Sequence, residues 1–198
     1  MKKMLYVLVI SLLSFTIFSC AKKDESSSTT STTALEGTWL SSCHSSGMYY
    51  NLNTLTVTGT GVVFKKEMHN DSNCSTDNNT QELTYSSLSI GDAVTYDNGT
   101  KTGAYFSMIF SGATETPNSS YDVTWVNDNS YCGYSDWELN VAKDITGKTC
   151  EGSTNMSANT KLLSLYKNES SNTIQLGSFN IESDGYPSGV FSVDYTKQ

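Results

Sequence analysis

Three features of this sequence predict an all-β, antiparallel fold. Short segments alternate apolar and polar residues with period two, the signature of strands with one buried and one wet face. The connections between them are rich in Asn, Asp, Gly and Ser, the residues that form turns. Four cysteines, Cys43, Cys74, Cys132 and Cys150, lie within the patterned region, an even number suited to two disulfide staples.

The elements follow in order. The first strand covers residues 38–42 of GTWLSSC. LTVT (55–58) alternates Leu and Val with Thr, and Gly59-Thr60-Gly61 reads as a hairpin turn into VVFKKEM (62–68). ELTYSSLSI (82–90) ends at Gly91-Asp92. AYFSMIF (104–110) places Ala104, Phe106, Met108 and Phe110 on one face, and YDVTWV (121–126) does the same with Tyr121, Val123 and Trp125. LLSLYK (162–167), TIQLGSF (173–179) and GVFSVDY (189–195) bring the count to about nine strands. DWELNVAKDITG (136–147) departs from the pattern. Its Trp137, Val141 and Ile145 fall at i, i+4 and i+8, with Asp136 as N-cap and Gly147 as stop, which predicts one short helix. So many antiparallel strands leave edges that a closed barrel removes and a two-sheet sandwich hides; the pattern is compatible with both.

The N-terminus has its own logic. Lys2 and Lys3 precede an apolar run over residues 5–18, broken by Ser11, Ser14 and Thr16, and then comes Ile17-Phe18-Ser19-Cys20. This is the layout of a secretory signal peptide, and the run is shorter than the ~20 apolar residues a membrane-spanning helix needs. The terminal Ile-x-Ser-Cys resembles the lipobox of bacterial lipoproteins. That resemblance implies cleavage before Cys20 and lipidation of Cys20. Ala21 and Lys22 stand where an Asp would retain such a protein at the inner membrane, so the same resemblance implies the outer membrane of a bacterial envelope. The stretch AKKDESSSTTSTTA after Cys20 has no aliphatic side chain larger than Ala and cannot bury a core. The organisation expected is a signal peptide over 1–19, a lipidated cysteine and flexible tether over 20–34, and a single domain over 35–198, long enough for one sizeable core.

All twelve basic residues are lysine. Without Lys2 and Lys3 of the leader, ten lysines face twenty acids, a formal charge of −10. Such a surface repels nucleic acid and anionic lipid headgroups, so the lipid chain at Cys20 is expected to supply the membrane affinity. A monomer is expected. For the four domain cysteines three pairings are possible. Sequential pairing, Cys43–Cys74 and Cys132–Cys150, is preferred because each closes a local excursion of the chain.

The residues LEGTW (35–39) resemble the Gly-x-Trp opening of lipocalins and the wider calycin barrels. With GTWLSSC followed by NDSNC (70–74), and NSYCGYSDW (129–137) followed by DITGKTC, the chain resembles bacterial lipocalin-like lipoproteins of unassigned function. The resemblance implies a barrel of 8–10 strands, with Gly37 permitting the turn into the first strand and Trp39 plugging one barrel end. The lipocalin pattern also packs an Arg of a late strand over this indole, and this chain has no Arg. The Thr-Asp-Tyr motif of the later strands is also missing; Val193-Asp194-Tyr195 is the nearest match.

A barrel of about eight strands has an interior that side chains fill or that holds one small ligand. The candidate lining is Phe64, Tyr85, Phe106, Met108, Tyr121 and Trp125. The function expected is therefore non-covalent binding of a small apolar or amphipathic molecule. The alternative is a solid-cored module that binds a protein or glycan. No Gly-x-Ser-x-Gly, His-Glu-x-x-His or Cys-x-x-Cys occurs, and no catalytic role or cofactor is expected. DSNCSTDNNTQE (71–82) has oxygen side chains at calcium-loop spacing, but Thr76 stands where that loop needs Gly. His44 and His69 neighbour Cys43 and Cys74, a zinc-ligand set only if those thiols are reduced. A polar loop and a disulfide are the expectation, with no metal.

Overall fold

The computed structural model describes residues 33–96, 101–177 and 185–198. The expected signal peptide, the expected lipidation site Cys20, and the expected tether up to residue 32 lie outside the described residues, as do the last residues of TIQLGSF.

The described chain forms β1 (Gly37–Ser41), β2 (His44–Ser46), β3 (Tyr49–Thr58), β4 (Gly61–His69), β5 (Asp77–Tyr96), β6 (Lys101–Pro117), α1 (Ser120–Asp128), β7 (Lys143–Asp144), β8 (Thr149–Cys150), β9 (Ser153–Thr154), β10 (Lys161–Ser170), β11 (Thr173–Leu176) and β12 (Tyr195–Lys197). A 3₁₀ turn covers Tyr131–Gly133. Eight of these strands close a barrel, each antiparallel to its neighbours, in the order β1, β3, β4, β5, β6, β10, β11, β12 and back to β1. Once the short strands β2, β7, β8 and β9 are set aside, every barrel neighbour is also the next strand in sequence. The closure by β1, paired with β3 on one side and β12 on the other, selects the barrel over the sandwich.

The β3–β4 hairpin turns as its Gly-rich sequence requires: Thr58 pairs with Gly61, and Gly59 takes φ +59°. Gly91-Asp92 does not end a strand. β5 runs through it to Tyr96, because the two residues form a bulge between the pairs Ile90–Phe106 and Ala93–Ala104. A second irregularity, between Ser86 and Ser89, sits at Ser87 with φ +56°. The last strand also shifts. Val190 makes one bridge with Gly177, and regular pairing begins only at Tyr195.

Two expectations fail outright. YDVTWV is not a strand but most of α1. Ser119 is its N-cap, and its hydroxyl accepts the Asp122 backbone N–H at 3.1 Å. This Ser-x-x-Asp start outweighs the period-two alternation. Residues 136–147 do not form the predicted helix. The Asn127 side chain binds both backbone groups of Trp137, accepting from its N–H at 2.7 Å and donating to its carbonyl at 3.0 Å. Asn140 takes φ +61°, and Lys143–Asp144 pairs with the edge of β6 instead. Trp137 and Ile145 are buried as irregular chain, while Val141 is exposed.

Two disulfides close, Cys43–Cys74 and Cys132–Cys150. The first ties the β1–β2 connection to the β4–β5 loop, and the second ties the 3₁₀ turn to β8. Both lie at the barrel end where β6 runs into α1.

Candidate ligand chamber inside the barrel

The strand registers stack interior side chains in layers. Val57, Val62 and Tyr85 form one level, and Leu55, Phe64, Leu83 and Ala113 form the next. Polarity then changes. Asn53, Lys66, Gln81 and Glu115 share the third level, and Asn51, Met68, Asn79 and Pro117 the fourth. The interior is thus an apolar chamber with a polar belt at the end that carries α1.

The chamber is an unfilled volume of about 330 Å³. Phe64, Tyr85, Phe106 and Met108 line it together with Leu55 and Leu83. Lys66, Gln81 and Ser164 are the non-aromatic polar residues of the lining. Phe191, 37 % exposed, is the lining residue most open to solvent. Burial pushes the Tyr85 phenol up to about 12, so it stays neutral. Lys66 has no carboxylate within ion-pairing distance among the described residues.

The belt is only partly satisfied. Asn53 donates its backbone N–H to the Ser41 hydroxyl oxygen at 2.8 Å and its side-chain amide to the Tyr195 hydroxyl at 3.1 Å. Glu115, 5 % exposed, accepts from Asn79 at 2.9 Å, and from Gln81 and Tyr131 at 3.5 Å. Burial pushes its carboxyl above the usual range, against the opposing pull of those three donors and the Lys66 charge. The side-chain carbonyl oxygens of Asn51, Asn53 and Asn79 are buried without a hydrogen-bond partner among the described residues. Such acceptors cost about 1–3 kcal/mol each unless a water or ligand donor meets them.

Of the six residues expected to line the interior, Tyr121 and Trp125 do not reach this chamber. They stand on α1 and face a second cavity of about 400 Å³ beyond the polar belt, where Asn79 and Glu115 form part of the lining. On a strand with the period-two alternation of YDVTWV these two side chains would point into the barrel; on α1 they lie beyond its end.

At the other end, Trp39 is 2 % exposed and donates its indole N–H to the Leu35 carbonyl at 2.8 Å. Gly37 opens β1 with φ +116°. Asp71 closes its loop on itself, its carboxylate accepting the backbone N–H groups of Asn73, Ser75 and Thr76. His44 contacts the Ser42 carbonyl through Nδ1 at 3.0 Å, whereas both ring nitrogens of buried His69 lack a partner among the described residues.

The belt residues do carry a signal in the sequence. In YYNLNTLTVT the inward period of Leu55 and Val57 continues back through Asn53 and Asn51. Lys66 likewise continues the inward set of Val62 and Phe64 on β4. In the comparisons with known proteins, no family model and no curated protein matches this chain.

Proposed function

We propose that this protein is a lipocalin-like bacterial lipoprotein, anchored through Cys20 to the outer membrane. It carries one small amphipathic molecule, non-covalently, in the barrel chamber. The observation that carries this reading is the unfilled apolar volume of about 330 Å³ within a closed barrel. Ligand pockets run from about 300 to 1,000 Å³, apolar with a few placed polar groups. A solid-cored interaction module would have filled that space. Lys66 and Gln81 give one end of the chamber a positive and hydrogen-bonding pole, which selects an amphiphile with an acceptor head group over a plain hydrocarbon. No catalytic step is assigned to the site.

The test is fluorescence titration of the full chain with 1-anilinonaphthalene-8-sulfonate, a ring system with an anionic head. Saturable one-to-one enhancement is expected, and Leu176→Trp, which fills the chamber from β11, should abolish it without changing the far-UV spectrum. Equal probe binding by the wild type and this variant would reject the chamber as the site.

A further inference from the structure

The second cavity has a different chemistry from the chamber. Asn79 and Glu115 lie at its inner side, 6 % and 5 % exposed. Aromatic side chains line it from three directions: Tyr49 on β3, Tyr121 and Trp125 on α1, and Tyr131 in the 3₁₀ turn. Asp122 and Glu151 add two carboxylates to that of Glu115, and among the described residues no lysine lines the space. Trp125 and Tyr131 are already in contact, ring centroids 5.7 Å apart and planes tilted by 55°. The disulfide holds this corner, because Tyr131 precedes Cys132 and Glu151 follows Cys150.

One buried atom at this cavity calls for a ligand. Asn79 gives its amide N–H to the Glu115 carboxyl at 2.9 Å. Its carbonyl oxygen is then left buried without a donor among the described residues. Three carboxylates, four aromatic rings and an unmet acceptor all favour positive charge and N–H or O–H donors.

We propose that this cavity is a binding site for a small organic cation, an amine or quaternary ammonium compound. The aromatic faces take the charge-bearing carbon shell, and Glu115 with Asp122 and Glu151 supplies the counter-charge. A hydroxyl or N–H of the ligand meets the Asn79 carbonyl. The site is separate from the apolar chamber, with the Gln81–Glu115 contact lying between the two.

The experiment is calorimetric titration of the full chain with choline chloride and with 3,3-dimethyl-1-butanol, its uncharged carbon analogue. Choline should bind one to one and the analogue about tenfold more weakly or less, the margin a desolvated cation–π contact supplies. Tyr121→Ala, at a residue 72 % exposed and so not needed for folding, should weaken choline severalfold, as should Glu115→Gln. Tyr121→Ala, on α1 and outside the chamber lining, should leave naphthalene-sulfonate binding unchanged. Absence of choline binding, equal affinity for the analogue, or preferential binding of glucose, a neutral polyol, would each overturn the proposal. The comparison of choline with its analogue needs only the wild-type protein.

Discussion

Lys197 lies over the face of Trp39, its ammonium nitrogen 5.2 Å from the ring centroid. The two are register partners on β12 and β1, the strands whose pairing closes the barrel. The resemblance to lipocalins calls for an Arg over this indole; here a lysine of the last strand occupies the position. Gly37 completes the arrangement, since a Cβ there would lie 3.0 Å from Lys197 Cε, and φ is +116°. Lys197→Met should lower stability by about 0.5–1 kcal/mol, the size of an exposed cation–π contact, while Lys197→Arg should retain it. Gly37→Ala should cost more than ~1 kcal/mol, because backbone strain adds to the clash. Urea unfolding of the three variants measures these differences.

Removing the Cys132–Cys150 bridge by the double substitution Cys132→Ala, Cys150→Ala should cost roughly 3 kcal/mol on the chain-entropy model. It should also release Tyr131 and Glu151, weakening choline while leaving the barrel chamber intact. Thermal unfolding and the two titrations, run on one sample, separate these effects. Thiol labelling of the untreated protein should find none of Cys43, Cys74, Cys132 and Cys150 reactive.

Lys66 should discriminate by charge. Lys66→Met keeps the lining apolar and removes the positive pole, so naphthalene-sulfonate binding should weaken about tenfold. Binding of N-phenyl-1-naphthylamine, which has similar rings and no charge, should stay the same or tighten. Parallel losses for both probes would mean that Lys66 shapes the chamber and does not select the ligand.

The buried carboxyl of Glu115 makes stability depend on pH. Burial raises its folded value above the ordinary 4.5, partly opposed by Asn79, Gln81, Tyr131 and the charge of Lys66. A raised carboxyl contributes stability that is full below the unfolded value and is lost as pH rises through the folded one. Glu115→Gln should therefore melt higher than the wild type near pH 7, and the two should converge below about pH 4.5. A constant offset across that range would place the effect in packing instead of ionisation.

How far the sequence could be read follows from what each signal encodes. Alternation located the barrel strands because one face of each is buried, and cysteine spacing matched the two local staples. The same period misled at YDVTWV, where three side chains spaced by two happen to suit a short helix, and only Ser119 with Asp122 betrays it. The Trp137, Val141, Ile145 spacing misled in the opposite way, because long-range bonds from Asn127 hold that backbone irregular. The apolar lining at Phe64, Tyr85, Phe106 and Met108 was legible as residue type. The polar belt was not: Asn53, Lys66, Gln81 and Glu115 are ordinary surface residues until the register of four strands places them at one level.

Native mass spectrometry of the full chain, purified without added lipid or probe, tests the carrier function most directly. A population heavier than the protein's own covalent mass by one small amphiphile is expected, lost on mild activation and absent from Leu176→Trp. A single mass equal to that covalent mass, together with no uptake of naphthalene-sulfonate, would contradict it.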